Sequence, residues 1–393
     1  MKQKKILLLG GTAIQIPAIK KAKEMGLYVI TCDNRPDNPG HQLADEYHNV
    51  SIMDNEAVLK LAKELEVDAV VNYILEAGIQ TTAYAQESLG KPTSPYLSVH
   101  TLSNKKLFRE FLKNNGFKVP RVYSKDDEIE YPVVVKPTDL WGSRGFTKVE
   151  RKEDLQKAID YAMESSLHGE IIIEQFIESW HADIEGDGFV VDGKITTHVW
   201  SDCYPDPAMP NPITPVIYCY PSAKPAALLK KLDAELQRLL SLLNMRTHAF
   251  NVEARIDKEG NVYLMEVAPR NGGNAITDVT SMATGKDIME ATIRAAIGDR
   301  CEDITNEPCQ GFWCSYVVHT DKEGNFGGLT IDDDFKKKNL VSYVPFVEVG
   351  EPVHPYSGTN CSIGLLIARF DTREALDDFR NNILRLVQVV VKP

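Results

Sequence analysis

Two glutamates, Glu253 and Glu266, and an arginine just beyond the second, Arg270, are the residues of this chain best spaced to do chemistry together. The turn signal Asp257-Lys258-Glu259-Gly260-Asn261 separates two runs of strand formers, Val252–Ile256 and Val262–Val267. A hairpin of this kind sets both carboxylates before one space, with the guanidinium close behind. Carboxylates suit hard cations such as Mg²⁺, which usually completes its shell with waters and phosphate oxygens. The pattern therefore predicts a site for metal-bound phosphate. Glu266 is the more telling acid, because it interrupts an apolar run just before Pro269 and Gly272-Gly273.

Two further stretches could serve the same anion. Lys136 ends the β-branched run Val133-Val134-Val135 and is followed by Pro137; a lysine in such a place needs a partner. The loop after it, with Gly142, Ser143, Arg144 and Gly145, has the small residues that let backbone N–H groups approach a phosphate. The run Ile171–Ile177 reads as a strand whose end turns polar at Glu174 and Gln175, followed by Phe176 and Ile177. Backbone groups at such an end can pair with an adenine edge, with Glu178 or His181 reaching toward a ribose. Asn72 and Glu76 follow the apolar run 69–71, where a glutamate could hold a substrate ammonium.

These residues need elements to hold them. Residues 4–9, 28–32 and 69–73 read as strands alternating with helices at 14–25 and 55–66, the signature of a parallel α/β unit whose ligands gather beyond the strand ends. Gly10-Gly11 and Asp33 lie there and raise a nicotinamide-dinucleotide reading, although the spacing is not G-x-G-x-x-G. A helix at 152–165 and strands at 170–176, 184–191 and 194–200 predict a small separate α+β lobe. The proline-rich segment 203–221 is expected to be neither helix nor central strand. Helices at 223–243 and 285–297 flank the carboxylate hairpin, and residues 306–393 read as a β-rich part closing with a helix at 372–384 and a strand at 387–391.

Composition bounds the partners. The chain has 393 residues, net charge −12 and ordinary hydrophobic and charged fractions of 43% and 25%. Such a balance argues against a nucleic-acid binder. No stretch approaches the roughly 18 apolar residues of a membrane span. Seven dispersed cysteines, without any C-x-x-C, suit reduced thiols and a cytoplasmic setting.

The ordered set of short motifs resembles the ATP-grasp superfamily of carboxylate–amine ligases. In order they are Gly90-Lys91-Pro92-Thr93-Ser94-Pro95, Asn104-Lys105, Gly116 to Pro120, Val133 to Pro137 with the loop to Gly145, Ile173 to Ile177, Asn251-Val252-Glu253, and Glu266 to Arg270 with Gly272-Gly273. Within the superfamily the pattern is nearest the carbamoyl-phosphate synthase and biotin carboxylase-like and L-amino acid ligase-like branches. The resemblance implies an α/β and α+β multidomain ATP-grasp fold. Residues 1–100 would form a Rossmann-like domain, 101–305 the ATP-grasp domain, with a small lobe at about 120–195 and a large lobe at about 196–305, and 306–393 a small C-terminal β-rich domain.

It also implies roles. Lys105 and Lys136 would hold ATP phosphates, with Ser143, Arg144 and Gly145 covering them. Glu174 and the backbone of Gln175, Phe176 and Ile177 would hold adenine, with His181 at the ribose. Glu253 and Glu266 would bind Mg²⁺ or Mn²⁺. Arg270 and Lys136 would be catalytic, Arg270 facing the acyl-phosphate oxygens. Asn72 and Glu76, from their place at a strand end, and Gly272 and Gly273 are the expected substrate contacts. The sequence departs from the family pattern at Ala268, where many members carry an asparagine metal ligand, and at Asn271-Gly272-Gly273-Asn274, which replaces the histidine-rich pattern of the purine-pathway carboxylases. No Met-Lys-Met motif for a biotinyl group is present. The expected partners are a small-molecule carboxylate and an amine, with no nucleic acid or membrane, and a homodimer stays open. The alternatives are an ATP-dependent carboxylase, an NAD-dependent oxidoreductase, and a non-catalytic nucleotide-binding protein.

Overall fold

Strands Lys5–Leu9 (β1), Tyr28–Cys32 (β2) and Ala69–Val71 (β4) are largely apolar, and such strands buried on both faces pair in parallel with helices covering them, while the short polar strand Glu46–His48 (β3) adds at the edge. They do so in the order β3-β2-β1-β4. The structure is a computed structural model that describes residues 3–124, 127–138, 145–206, 208–209 and 214–393.

Helices Tyr96–Ser103 and Lys105–Asn114 lead out of this unit. Asn104 caps the second, its side chain accepting from the backbone N–H of Leu107 at 3.0 Å. A four-stranded antiparallel sheet follows, from Val122–Tyr123 (β5), Val133–Pro137 (β6), Thr147–Val149 (β7) and Ile171–Gln175 (β8), in the order β5-β8-β6-β7. The helix Leu155–Ser165 packs beneath it through Ala158 and Ala162, against Val133, Val135 and Ile173.

The remaining strands are Asp183–Val191 (β9), Lys194–Pro205 (β10), Pro215–Tyr220 (β11), His248–Ile256 (β12), Val262–Ala268 (β13), Phe312–Val318 (β14), Gly324–Ile331 (β15), Leu340–Pro345 (β16), Pro352–Val353 (β17), Gly364–Phe370 (β18) and Val387–Lys392 (β19). Eight of them make one sheet in the order β13-β12-β9-β10-β11-β14-β18-β16. A small sheet β17-β15-β19 completes the chain.

Three expectations need correction. The small lobe does not run to about 195: its sheet ends at Gln175, and β9 and β10 belong to the eight-stranded sheet, since β9 pairs along its length with β12 on one side and β10 on the other. The proline-rich segment does supply a central strand. Among the described residues its prolines fall at strand ends (Pro205 closes β10 after a register shift, Pro215 opens β11 and Pro221 follows it), which leaves Val216–Tyr220 free to donate to both neighbours. The C-terminal part contributes β14, β18 and β16 to the same sheet as the carboxylate hairpin, so that sheet continues across residue 306.

Candidate active site

The hairpin forms, and its register decides what it can do. β12 and β13 pair antiparallel with Glu253 directly opposite Glu266, just before a register shift at Ala254. On the other edge of β12, Glu253 lies opposite Glu185 of β9. Directly opposed residues in a sheet project from the same face, so three glutamates stand in a row across three strands. At about 4.8 Å between strands the row spans about 10 Å. The row looks into a cavity of about 750 Å³ between the parallel unit, the small lobe and the large sheet.

Cations close the row. Lys105 Nζ lies 3.8 Å from Glu266. Arg270 lines the cavity and donates through Nε and Nη2, each at 2.8 Å, to one oxygen of Glu76, which comes from the parallel unit. Lys136, buried at the end of β6, sits 2.6 Å from Glu174, whose other oxygen accepts from Arg109 Nε at 2.7 Å.

These charges tune one another. Burial raises the proton affinity of Glu174, but Lys136 and Arg109 outweigh it and hold the carboxyl at about 2. Burial lowers the proton affinity of Lys136, and Glu174 opposes that only in part. Glu253 opens onto water inside the cavity yet lies deep between its walls; that desolvation, with Glu266 beside it, pushes it up to about 7. Desolvation and Glu253 raise Glu185 well above the usual range. Glu266 feels the same burial but is held below the usual range by Lys105, Arg270 and Lys136. A row of carboxylates that repel one another strongly enough to retain a proton is suited to a divalent cation, which removes the repulsion. Among the described residues no group of three His, Cys, Asp or Glu side chains is disposed to hold a metal alone. The donor set fits Mg²⁺ better than a metal that needs an all-protein cage.

A second buried layer fixes the turn after Arg270. Asp187 accepts from Asn251 Nδ2 at 2.9 Å, from the Gly272 N–H at 2.7 Å and from the Thr277 hydroxyl. Burial holds its carboxyl up at about 6 against those bonds. A side chain at Gly272 would run into Asp187 and Asn251. Gly272 is therefore a close-packing position behind the site, while Gly273 faces the cavity.

The structure brings together Lys105, Lys136, Glu174, Gln175, Ile177, Glu253, Glu266, Arg270, Gly273 and Glu76 around one space. Others fall elsewhere. Glu174 lies at the cavity wall with one oxygen on Arg109 and the other on Lys136, so its carboxylate is held by these cations rather than presented free. The Phe176 ring lies against Lys148 and Arg255 at 4.4 and 4.6 Å, and is not part of the cavity wall. His181 is exposed and its ring lies tilted against Trp180, outside the cavity. Asn72 is buried behind the site and donates to the Leu75 carbonyl at 2.7 Å. Glu76 is tied to Arg270 rather than open to an ammonium. Ser143 and Arg144 lie outside the described residues, and Gly145 packs near Pro137 and Ser165.

The dinucleotide alternative loses its footing here. The space above Gly11 is occupied by the His41 ring. Asp33 is buried and accepts from the Arg35 N–H at 3.2 Å and Asn38 Nδ2 at 3.0 Å, so its carboxylate organises its own loop.

Sequence reasoning missed Arg109, Glu185 and Asp187. The signal for the last two was present: Asp183, Glu185 and Asp187 alternate along one strand and so share a face. Arg109 carried no such signal; one cation among several on a helix becomes special only when Glu174 arrives from β8.

Comparison with known proteins agrees with this architecture. Residues 129–278 match the family model of the ATP-grasp domain, and the chain carries that domain within an ATP-grasp fold. The formate-dependent phosphoribosylglycinamide formyltransferase of Prochlorococcus marinus is 29% identical over 188 residues, 44% of this chain and 48% of that protein. This chain thus spans about half the length of that curated relative. The carbamoyl phosphate synthase large chain of Methanosarcina barkeri is 25% identical over 342 residues, 77% of this chain and 30% of that one. The crystal structure of L-amino acid ligase from Bacillus licheniformis superposes over 100% of both chains with a TM-score of 0.82 at 19% identity. Among the described residues no helix is long and apolar enough to cross a membrane.

Proposed function

We propose that this protein is an ADP-forming ligase that activates a carboxylate on Mg-ATP and passes the acyl group to an amine. The reading is carried by one observation: Glu253 and Glu266 stand opposite each other on the cavity floor with Lys105, Lys136 and Arg270 around them. One similar protein is named for formate and phosphoribosylglycinamide and another for amino-acid ligation, which agrees with an acid joined to an amine.

ATP would lie between the lobes. Its base would sit at the end of β8, against the backbone of Gln175 to Ile177 and the apolar walls Val134, Ile177, Ala254 and Met265. Lys105 and Lys136 would meet the phosphates. Glu253 and Glu266 would hold Mg²⁺, which supplies charge neutralisation where an acid approaches the triphosphate. A like-charge pair at 4 Å and an effective dielectric near 20 costs about 4 kcal/mol, so a carboxylate cannot reach the γ-phosphorus without such compensation.

The acid's oxygen then attacks the γ-phosphorus. That O–P bond forms, the bond to the bridging oxygen breaks, and ADP leaves. Arg270, held in place by Glu76, faces the oxygens that gain charge. The neutral amine next attacks the acyl carbon; the C–N bond forms, the C–O bond to phosphate breaks, and phosphate leaves with the nitrogen's proton. The cavity walls keep water from the acyl phosphate.

The test is ADP release across a panel of acids and amines, with hydroxylamine trapping of the activated acid. The expected result is Mg²⁺-dependent ADP release that needs an acid, lost in Glu266→Ala. Full activity in that variant, or ADP release dependent on bicarbonate alone, would overturn the assignment, the second outcome in favour of a carboxylase.

A further inference from the structure

The cavity extends well past the glutamate row, and its floor changes character as it goes. Across the large sheet Asp183 is opposite Cys203, Cys203 opposite Tyr218, Tyr218 opposite Ser315, Ser315 opposite Ile367 and Ile367 opposite Ser342. The same face therefore runs from carboxylates on β13, β12 and β9 to apolar side chains on β18 and β16, where Val344, Leu365 and Ile367 line the cavity. Met282 and Phe346 add apolar wall there.

Charge follows the same gradient. The cations lining the cavity, among the described residues, are Lys105, Lys136, Arg255 and Arg270. Each already faces an acid: Glu266, Glu174, Asp183 and Glu76 respectively. No described Lys, Arg or His lines the part from Cys203 to Val344. Two acids open onto the cavity without an ion-pair partner among the described residues, Glu185 on the floor and Asp278 on the helix Ile276–Thr284. Glu185 has only a 3.4 Å contact from Asn251 Nδ2.

Resting on the ligase reading, we propose that the acceptor is an unphosphorylated organic amine bearing an apolar substituent. Its ammonium is held by Asp278 and its substituent lies on Val344, Leu365 and Ile367. A phosphorylated acceptor such as an amino-sugar phosphate would set a dianion beside that carboxylate, with no cation among the described residues left to receive it once Lys105 and Lys136 meet ATP, Arg270 meets the acyl phosphate and Arg255 pairs with Asp183. A small polar amine would leave the apolar floor wet.

The experiment is calorimetric titration of the full chain with propylamine, butylamine, pentylamine and hexylamine, and with hexyl phosphate, in the presence and absence of Mg²⁺ and the non-hydrolysable ATP analogue AMPPNP. Burying each added methylene should tighten Kd about three- to fourfold. Hexyl phosphate should bind at least tenfold more weakly than hexylamine, at about the worth of one lost charge contact. Asp278→Asn should weaken hexylamine about tenfold. Val344→Asp, at a half-exposed edge position that tolerates a polar residue, should flatten the chain-length series. Equal or tighter binding of hexyl phosphate, or a flat series in the unaltered protein, overturns the proposal. Failure of the ligase reading shows differently: Mg-AMPPNP does not bind while the amine series still does. Mg-AMPPNP binding without amine discrimination sinks only the acceptor assignment.

Discussion

Glu174→Gln and Lys136→Met touch the same ion pair but should not cost the same. Glu174 is 2% exposed and receives Lys136 at 2.6 Å and Arg109 at 2.7 Å. At an effective dielectric near 20 each contact is worth about 6 kcal/mol of attraction, most of which offsets the desolvation of three buried charges. Replacing Glu174 by glutamine leaves two buried cations facing each other, and breaking a buried pair in this way costs about 3–5 kcal/mol. Replacing Lys136 by methionine leaves the Glu174–Arg109 pair whole and fills the same volume with an apolar chain, a change of less than about 1.5 kcal/mol. Urea unfolding followed by tryptophan fluorescence reads the difference as two midpoints. A second readout follows from proton affinity. Without Glu174, burial and Arg109 act unopposed on Lys136, so AMPPNP affinity of Glu174→Gln should recover as pH is lowered, whereas that of Lys136→Met should stay low at every pH. Equal stability losses in the two variants, or a larger loss in Lys136→Met, would refute the reasoning.

Arg270→Ala should lower ADP release on the order of 10³-fold while AMPPNP still binds; unchanged turnover would remove Arg270 from the reaction. His248 is lowered to about 4 by burial, its Nδ1 is 2.7 Å from the Ala249 carbonyl, and its buried Nε2 has no partner among the described residues. Its neutral form therefore contributes stability that is complete above pH 6.5 and is lost as pH falls toward 4, by about 2 kcal/mol at pH 5. Glu253, which keeps its proton up to about 7, acts in the opposite sense, so the check is the difference in urea midpoint between the unaltered protein and His248→Asn at pH 7.5 and pH 5. That difference should change between the two pH values; a constant offset would show that His248 does not titrate in this window. Gly188→Ala would drive a methyl into the Phe250 ring and the Thr197 carbonyl, and should cost about 1–3 kcal/mol, visible as a lower melting temperature; an unchanged one would mean that β9 and β12 shift apart freely.

Local pattern made much of this architecture readable. Alternating apolar strands and helices in the first hundred residues announced a parallel unit, and the turn at Asp257–Asn261 announced the hairpin that β12 and β13 form. It failed where prolines were counted without regard to strand ends. Val216–Tyr220 is a proline-free central strand inside a segment that looked like a loop. The helix Ile276–Thr284 went unread, because Gly272-Gly273 masks its start and no side chain caps it. The place of Glu174 at adenine comes from the family resemblance alone, and nothing within thirty residues foretells that Arg109 takes one of its oxygens.

What the sequence determined by itself was the inventory: which strands carry carboxylates, which lysine ends a buried run, and which order of motifs resembles the ATP-grasp pattern. Those are properties of neighbours along the backbone, where spacing fixes the face a side chain occupies. Tertiary structure alone decided the pairings. Glu253 meets Glu185 from a strand 68 residues earlier (253 − 185) through sheet register, and Arg270 meets Glu76 from the parallel unit. Charge interactions fall off with distance in space, not in sequence, so the proton affinities and the division of the cavity into a charged and an apolar end exist only once the sheets are assembled.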